Sequence, residues 1–328
     1  MDLLKSLIRQ ATREKPLNII VVGATHERYE SNLCKTGHNF FCLKNGKEWD
    51  SSYAPVPENY HIINQIPYHQ EFDLILVHTS DERINVAQDI QEYCNIPIIR
   101  HCHVLPDIRY NLDQQKYAFQ SPRVDLTTFI SEFNMNSWGY NKNNSRFINH
   151  GMDTDFWLDE QKERDNVLLS VVNYWSSRDW ACGWELWKDV VSFNSSQQKP
   201  IRVAGKNPGL SEAATTLDEL KDIYNKSSIF LNTSIHSPVP MSMMEAMACG
   251  CAIVSTATCM IPEIIQHGEN GLISNNPNEL KKYCQELLDN PSRARELGLN
   301  AQKTIKEKYN LNQFINKWNT VFEEVLYS

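Results

Sequence analysis

The chain alternates short, nearly continuous apolar runs with longer segments in which apolar residues return every three or four positions. LNIIVVG (17–23), FDLILVH (72–78), IPIIRH (96–101) and VDLTTFI (124–130) are runs of the first kind. Runs this short, rich in β-branched residues and bounded by Pro, Gly or Asn, predict strands buried on both faces of a parallel sheet. The polar stretch 81–94 between two of them has helical spacing. A second series follows residue 155. VLLSVVN (167–173), IRVAG (201–205), SIFLN (228–232), CAIVS (251–255) and GLIS (271–274) predict strands, with helices over 217–226 and 241–249. From Pro277 onward the pattern is helical and charged. Pro291 suits the first turn of a helix running to about Tyr309. A last helix, over roughly 312–326, carries Phe314, Ile315, Trp318, Val321, Phe322 and Val325 on apolar spacings.

Strands alternating with helices in both halves predict two α/β, doubly wound units. The linker falls near 149–165, where apolar strand signals give way to polar and charged residues. In open α/β sheets, ligands sit outside the carboxyl ends of the strands. The loops after Val22, His78, His101, Val172, Ala204, Asn232 and Ser255 are therefore the places to search.

The chain has 328 residues, 41% of them hydrophobic and 22% charged, with a net charge of −8. That balance argues against a protein whose affinity comes from neutralising nucleic-acid phosphates. No apolar run is long enough to span a membrane, and the N-terminus lacks the apolar centre of a signal peptide. The stripe Leu3, Leu4, Leu7, Ile8 fits a helix covering the sheet better than a membrane contact. The nine cysteines are scattered and form no CxxC pair, so a reduced, cytoplasmic chain is expected.

Between Ser227 and Pro262 the only formal charge is Glu245. Helical spacing sets it beside Met241, Met244 and Ala248. A carboxylate on an otherwise apolar helix must reach a hydrogen-bond donor, either in the protein or on a ligand hydroxyl; the methionines are core filler. Before this helix, in SIHSPVPM, Pro238 and Pro240 stiffen the entry. The amides of Met241 and Ser242 are then left open at a helix start, where backbone N–H groups and the helix dipole favour phosphate. A phosphate at the helix start and a carboxylate one turn on match a nucleotide's diphosphate and ribose.

SPVPMSMMEAMACGCAIVST, followed by IPEIIQHGENGLIS, resembles the C-terminal domain of the family 4 retaining glycosyltransferases, the group 1 transferases with the GT-B fold. FISEFN (129–134), INHGMDTDFW (148–157), IPIIRHCH (96–103) and NPSRARELGLNAQKTIKEKYN are similar to other family segments in the same order. The resemblance is strong over 227–310, moderate over 96–157 and weak in the first 90 residues. It implies two Rossmann-like domains facing a cleft. Residues 1–152 form the acceptor side and 153–310 the nucleotide-sugar side. The helix 311–328 packs back on the first domain.

The resemblance further implies that Glu245 holds the donor ribose and that His103 contacts the donor sugar. Ser237 stands where the family has a sugar-reading glutamate, which puts the donor's identity in play. The family's Arg–Lys phosphate clamp is irregular here: Arg178 and Lys206, each following a strand of the second domain, are the cations expected to stabilise the leaving diphosphate, with a solvated surface charge as the alternative for each. Gly23 is expected to let the backbone approach the ligand, and Glu263 either faces the donor or caps a short helix. His101 is expected to be a satisfied structural histidine.

Asp153 and Asp155 form a DxD, for which turn and cap roles outweigh metal ligation. VVGATHERYE is no GxGxxG, so a dinucleotide site is not expected. The implied activity is sugar transfer from a nucleoside-diphosphate sugar to an acceptor hydroxyl, with retention and without a metal or other cofactor. The acceptor would be a glycan, a lipid-linked sugar or a small molecule rather than a nucleic acid. Two rivals remain: a nucleotide-sugar epimerase, and a degenerate nucleotide-binding scaffold without turnover, because Ser237 breaks the family's glutamate pair.

Overall fold

The computed structural model describes residues 16–44, 48–78, 81–192 and 201–327. The stripe Leu3, Leu4, Leu7 and Ile8 lies outside them. The chain divides into two units, 1–151 with 312–328, and 152–311.

The first unit holds a seven-stranded, all-parallel sheet in the order β3-β2-β1-β4-β5-β6-β7. Its elements are β1 (Asn18–Val22), α1 (Glu27–Cys34), β2 (Asn39–Leu43), β3 (Tyr60–Ile63), β4 (Leu74–His78) and α2 (Asp81–Cys94). They continue with β5 (Ile98–Cys102), α3 (Leu112–Gln120), β6 (Leu126–Phe129), α4 (Glu132–Ser137) and β7 (Ser145–Phe147). The continuous apolar runs are the central strands, buried along their whole length in β4 and β5. On one face, Ile20, Val22, Ile75, Val77 and Ile98 pack against Ile84, Ala87 and Ile90 of α2, one residue per turn. Helix starts are capped locally: Ser131 Oγ accepts from the Asn134 amide at 2.9 Å. The last helix, α12 (Leu311–Tyr327), belongs to this unit. Its Trp318 indole donates to the Tyr29 hydroxyl at 3.2 Å, and Phe322 packs against His38.

Three strands here were not among the sequence expectations: β2, β3 and β7. NFFCL holds only one half of an alternating pattern buried, and β3 is an edge strand whose His61 and Ile62 are exposed. Edge strands face water on one side and carry little of the apolar signal that marks a central strand.

The second unit is a five-stranded parallel sheet in the order β12-β11-β10-β8-β9. It runs β8 (Asp165–Val171), α5 (Asp179–Cys182), α6 (Trp184–Val191), β9 (Ile201–Ala204), α7 (Leu217–Asn225), β10 (Ser227–Asn232) and α8 (Met241–Ala248). Then come β11 (Ala252–Ser255), α9 (Ile261–Ile264), β12 (Leu272–Ile273), α10 (Pro277–Asp289) and α11 (Pro291–Lys308). Leu168, Ile229, Leu231 and Val254 meet Leu280, Cys284 and Leu287 of α10 and Leu297 of α11. Helix α8 packs on β10 and β11, and its Met243, Met244 and Met247 are fully buried. Gly298 lets α11 close onto the turn after α8, since a Cβ there would stand 2.2 Å from the Gly250 carbonyl oxygen.

Candidate functional site

The loops at the carboxyl ends of β8, β9, β10 and β11 are tied to one another by hydrogen bonds. Asn207, buried after β9, is the hub of the first pair. Its side chain accepts from the Trp175 amide at 2.8 Å and donates to the Val172 carbonyl at 2.7 Å. The Tyr174 amide donates to the Lys206 carbonyl at 2.8 Å, and the Lys206 ammonium lies over the Tyr174 ring, 5.8 Å from its centre. Arg178 ends a short 3-10 turn (Ser176–Arg178) in the same loop. Both cations are exposed, and the loops that carry them are joined.

This loop is then fastened to the one after β10. Gly183 adopts φ +67° and packs so closely that a Cβ would sit 2.0 Å from the Thr233 carbonyl oxygen. Thr233 Oγ1 donates to the Gly183 carbonyl at 2.9 Å, and the Ile235 and His236 amides donate to the Ala181 carbonyl. From the other side, Thr256 and Thr258 both donate to the Ser234 carbonyl, at 2.6 and 2.8 Å. Ser237, half-buried, follows on this cross-tied segment and leads through Pro238 and Pro240 into α8. Pro240 is the N-cap without a side-chain cap, and its carbonyl accepts from the Met243 and Met244 amides. The amides of Met241 and Ser242 have no hydrogen-bond acceptor among the described residues. They therefore remain open at the positive end of the helix dipole.

Glu245, one turn further, is 2% exposed and its Oε2 accepts from the Tyr224 hydroxyl at 2.9 Å. A protein donor thus meets part of this carboxylate's need. Tyr224, on α7, was not anticipated: a tyrosine amid the charged helix 217–225 gives no sequence sign of pointing into α8. Glu263 is exposed on α9 and shares a groove with Glu269, Glu296 and Lys303, in which Ser237, Met241 and Ser242 take no part. Its backbone carbonyl accepts from Tyr309.

In the first unit, Gly23 follows β1 at φ +77°, and the space a Cβ would take is filled by the Arg83 side chain, which lies against the Gly23 and His78 carbonyls. His103, half-buried after β5, clusters with buried Tyr29, His78 and His101 and with half-buried His150. The His103 ring centre is 4.4 Å from that of His101, 5.0 Å from His78 and 6.2 Å from His150. His78 Nδ1 and His103 Nε2 are 2.9 Å apart, and His78 Nε2 stands 3.3 Å from Glu30 Oε1. His101 takes the Tyr29 hydroxyl at 2.8 Å and meets Thr128 Oγ1 at 2.7 Å, so its role is structural. Burial holds every one of these histidines neutral. The pKa of His78 falls to about 3, through burial and then the Arg83 charge, and that of His150 to about 4, through burial and then His26. His103 is driven well below its ordinary value by burial and then by His101, His78 and His150. The sequence pointed to His101 and His103; His78, His150 and Glu30 join them only through the sheet order.

Asp153 Oδ1 accepts from the Asp155 and Phe156 amides, so the first carboxylate of the DxD caps a turn. Among the described residues no cluster of three or more His, Cys, Asp or Glu side chains is arranged to hold a metal ion. The nine cysteines are free thiols. No described helix is long and apolar enough to cross a membrane.

Residues 214–304, which contain α7, α8, β11 and the amide end at Met241, match the family model "Glycosyl transferases group 1". An uncharacterized glycosyltransferase of Methanocaldococcus jannaschii is 30% identical over 148 residues, 42% of this chain and 36% of the relative. The N-acetyl-alpha-D-glucosaminyl L-malate synthase of Bacillus anthracis is 25% identical over 111 residues, 33% and 29% of the two chains. The matched stretches thus span about a third of these curated relatives. Among solved structures, Anabaena HepE in complex with UDP superposes with a TM-score of 0.76 at 13% identity, covering 94% of this chain and 100% of that one. A sucrose-phosphate synthase from Thermosynechococcus elongatus gives 0.73 at 13% identity, covering 94% and 99%. The fold is GT-B, two doubly wound α/β units.

Proposed function

We propose, for a chain whose residues 214–304 match the group 1 glycosyl transferases, that it transfers a sugar from a nucleoside-diphosphate sugar to an acceptor hydroxyl, with retention and without a metal. The observation that carries this reading is the amide end of α8 at Met241 and Ser242, set among loops that also bear Lys206 and Arg178. Two backbone donors, a helix dipole and two cations supply the positive charge that a metal supplies elsewhere. The UDP and UDP-glucose bound to HepE support a nucleoside-diphosphate sugar as the donor here.

In the proposed reaction the bond from the anomeric carbon to the diphosphate oxygen breaks as the acceptor oxygen bonds to the same face of that carbon. The acceptor's proton leaves with the departing phosphate oxygen. Lys206, Arg178 and the two amides stabilise the charge growing on that oxygen. Glu245 accepts from the ribose hydroxyls. Ser237 and His103 meet the sugar. A neutral Ser237 in place of a glutamate leaves more room and less negative charge beside the sugar, which favours a donor whose hydroxyls differ from those a glutamate reads. The acceptor is proposed to be a glycan, a lipid-linked sugar or a small molecule, and the setting the cytoplasm.

The test is a screen of nucleotide sugars for nucleoside-diphosphate release, with and without excess chelator. Release coupled to a glycosylated acceptor, undiminished by chelator, is expected. Interconversion of free nucleotide sugars would identify an epimerase instead, and nucleotide binding with every donor inert would identify a binding scaffold. Loss of release in chelator, restored by manganese, would overturn metal independence.

A further inference from the structure

Tyr224, near the end of α7, is fully buried and donates its hydroxyl to Glu245 Oε2 at 2.9 Å. Its backbone carbonyl accepts from Arg164 Nη1 and from the Cys251 thiol, each at 3.3 Å. The same guanidinium donates through Nη2 to the Cys249 carbonyl, and Asp159 holds it at 2.9 Å. Cys249 caps α8, one turn after Glu245, and its amide donates to the Glu245 carbonyl. One arginine thus ties the backbone of the tyrosine to the end of the helix that carries the glutamate. The next residue, Asn225, accepts from the Glu160 amide at 2.8 Å and donates to the Leu158 carbonyl at 3.0 Å. Trp157 and Phe230 flank the Tyr224 ring, 5.9 and 6.1 Å away between ring centres. Turning the phenol away from Glu245 would break several of these buried contacts.

A glutamate carries its carboxylate on three rotatable bonds, and freezing them when a ligand binds costs entropy. A hydrogen bond to a carboxylate is charge-assisted and stronger than one between neutral groups. The phenol therefore fixes one oxygen and narrows the orientations of the carboxylate before any ligand arrives, which lowers the cost of binding. A ribose offers two adjacent hydroxyls. A carboxylate held in one orientation discriminates against a sugar that lacks one of them. A carboxylate released from the phenol turns toward the hydroxyl that remains and discriminates less.

We propose that Tyr224 is a positioning residue: its hydroxyl presets Glu245, and the pair sets a preference for a ribonucleotide over a deoxyribonucleotide. This rests on the reading of Glu245 as the ribose contact.

The test is calorimetry on the full chain. The probes are UDP, ADP and GDP, each as the ribonucleotide and in its 2′-deoxy and 3′-deoxy forms. In the wild type a deoxy form should bind about tenfold or more weakly than its parent, the scale of a lost hydrogen bond to a charged group. In Tyr224→Phe, which keeps the ring, that ratio should fall to about threefold or less, and the ribonucleotide itself should bind more weakly. In donor turnover the loss should lie in KM, with kcat little changed. A merely structural role lowers the folded fraction, which cancels in the ratio. An undiminished ratio in folded Tyr224→Phe overturns the positioning role and leaves the ribose contact standing. A wild type that binds ribose and deoxy forms equally removes Glu245 from the ribose, and the positioning role falls with it. Failure of every probe to bind has the same consequence. If Tyr224→Phe does not fold, Arg164→Lys is read in its place. Lysine lacks the guanidinium fork that reaches both the Tyr224 and Cys249 carbonyls, so the ratio should fall about twofold to threefold. An unchanged ratio there overturns the proposal.

Discussion

Gly183 is where the loop bearing Arg178 is locked to the loop leading into α8, and Gly183→Ala should release it. Two costs arise. At φ +67° an alanine carries the left-handed penalty, about 1–2 kcal/mol. In addition the new Cβ would stand 2.0 Å from the Thr233 carbonyl oxygen, whereas non-bonded heavy atoms settle near roughly 3.5 Å. The backbone must move by more than an ångström, an overpacking cost of about 1–3 kcal/mol. Movement of that size also strains the bonds from Thr233 to Gly183 and from Ile235 to Ala181. The two costs together come to about 2–5 kcal/mol. Gly209→Ala is the control: it has φ +80° and nothing within 4 Å of its Cβ, so it should carry the conformational penalty alone. The assay is urea unfolding of both variants, followed by tryptophan fluorescence, because Trp175, Trp184 and Trp187 stack beside this loop. Donor turnover should fall further in Gly183→Ala than in Gly209→Ala at equal fractions folded. Variants destabilised to the same extent, within about 0.5 kcal/mol, would refute the claim that the Gly183–Thr233 contact locks the two loops.

Glu245→Gln should weaken nucleotide binding by about 1.5–3 kcal/mol, the scale of hydrogen bonds to a charged group, and calorimetry showing unchanged affinity in the folded variant would remove Glu245 from the ribose site. Lys206→Gln and Arg178→Gln should each lower kcat by about 10-fold to 100-fold with little change in donor KM, as expected of groups that act on charge developing in the transition state; a pure KM effect in steady-state kinetics would assign them to ground-state binding. Stability should fall in mild acid. The pKa of buried His78 drops from 6.5 to about 3 on folding, so the unfolded chain binds more protons between these values. Its contribution is complete above pH 6.5 and is lost progressively as pH falls toward 3, about 2 kcal/mol of it by pH 5. Denaturation midpoints measured from pH 7.5 to 5 should decline in the wild type and decline less steeply in a folded His78→Gln variant, in which the other buried histidines still titrate.

The strands with continuous apolar runs, the five-strand series of the second unit and the last three helices are legible from the sequence because burial on both faces leaves a one-dimensional trace. Glu245 is visible for a related reason: a single charge in an apolar stretch needs a partner, whatever the fold. The amide end at Met241 follows from two prolines and a helix period. These are local properties of the chain, and local chemistry suffices to state them. The partners are a different matter. Tyr224 reaching Glu245, Asn207 stitching two loops, and Glu30, His78 and His150 gathering around His103 depend on which strands lie side by side. His78 ends β4 and His103 follows β5, its neighbour in a sheet order of β1-β4-β5, while Tyr29 and Glu30 come from the helix after β1. Separations of 25 residues for the His78–His103 contact and 289 for Trp318–Tyr29 leave no periodic sign in the sequence. Sheet order is set by the packing of whole elements, and only the folded chain brings such residues within hydrogen-bonding distance.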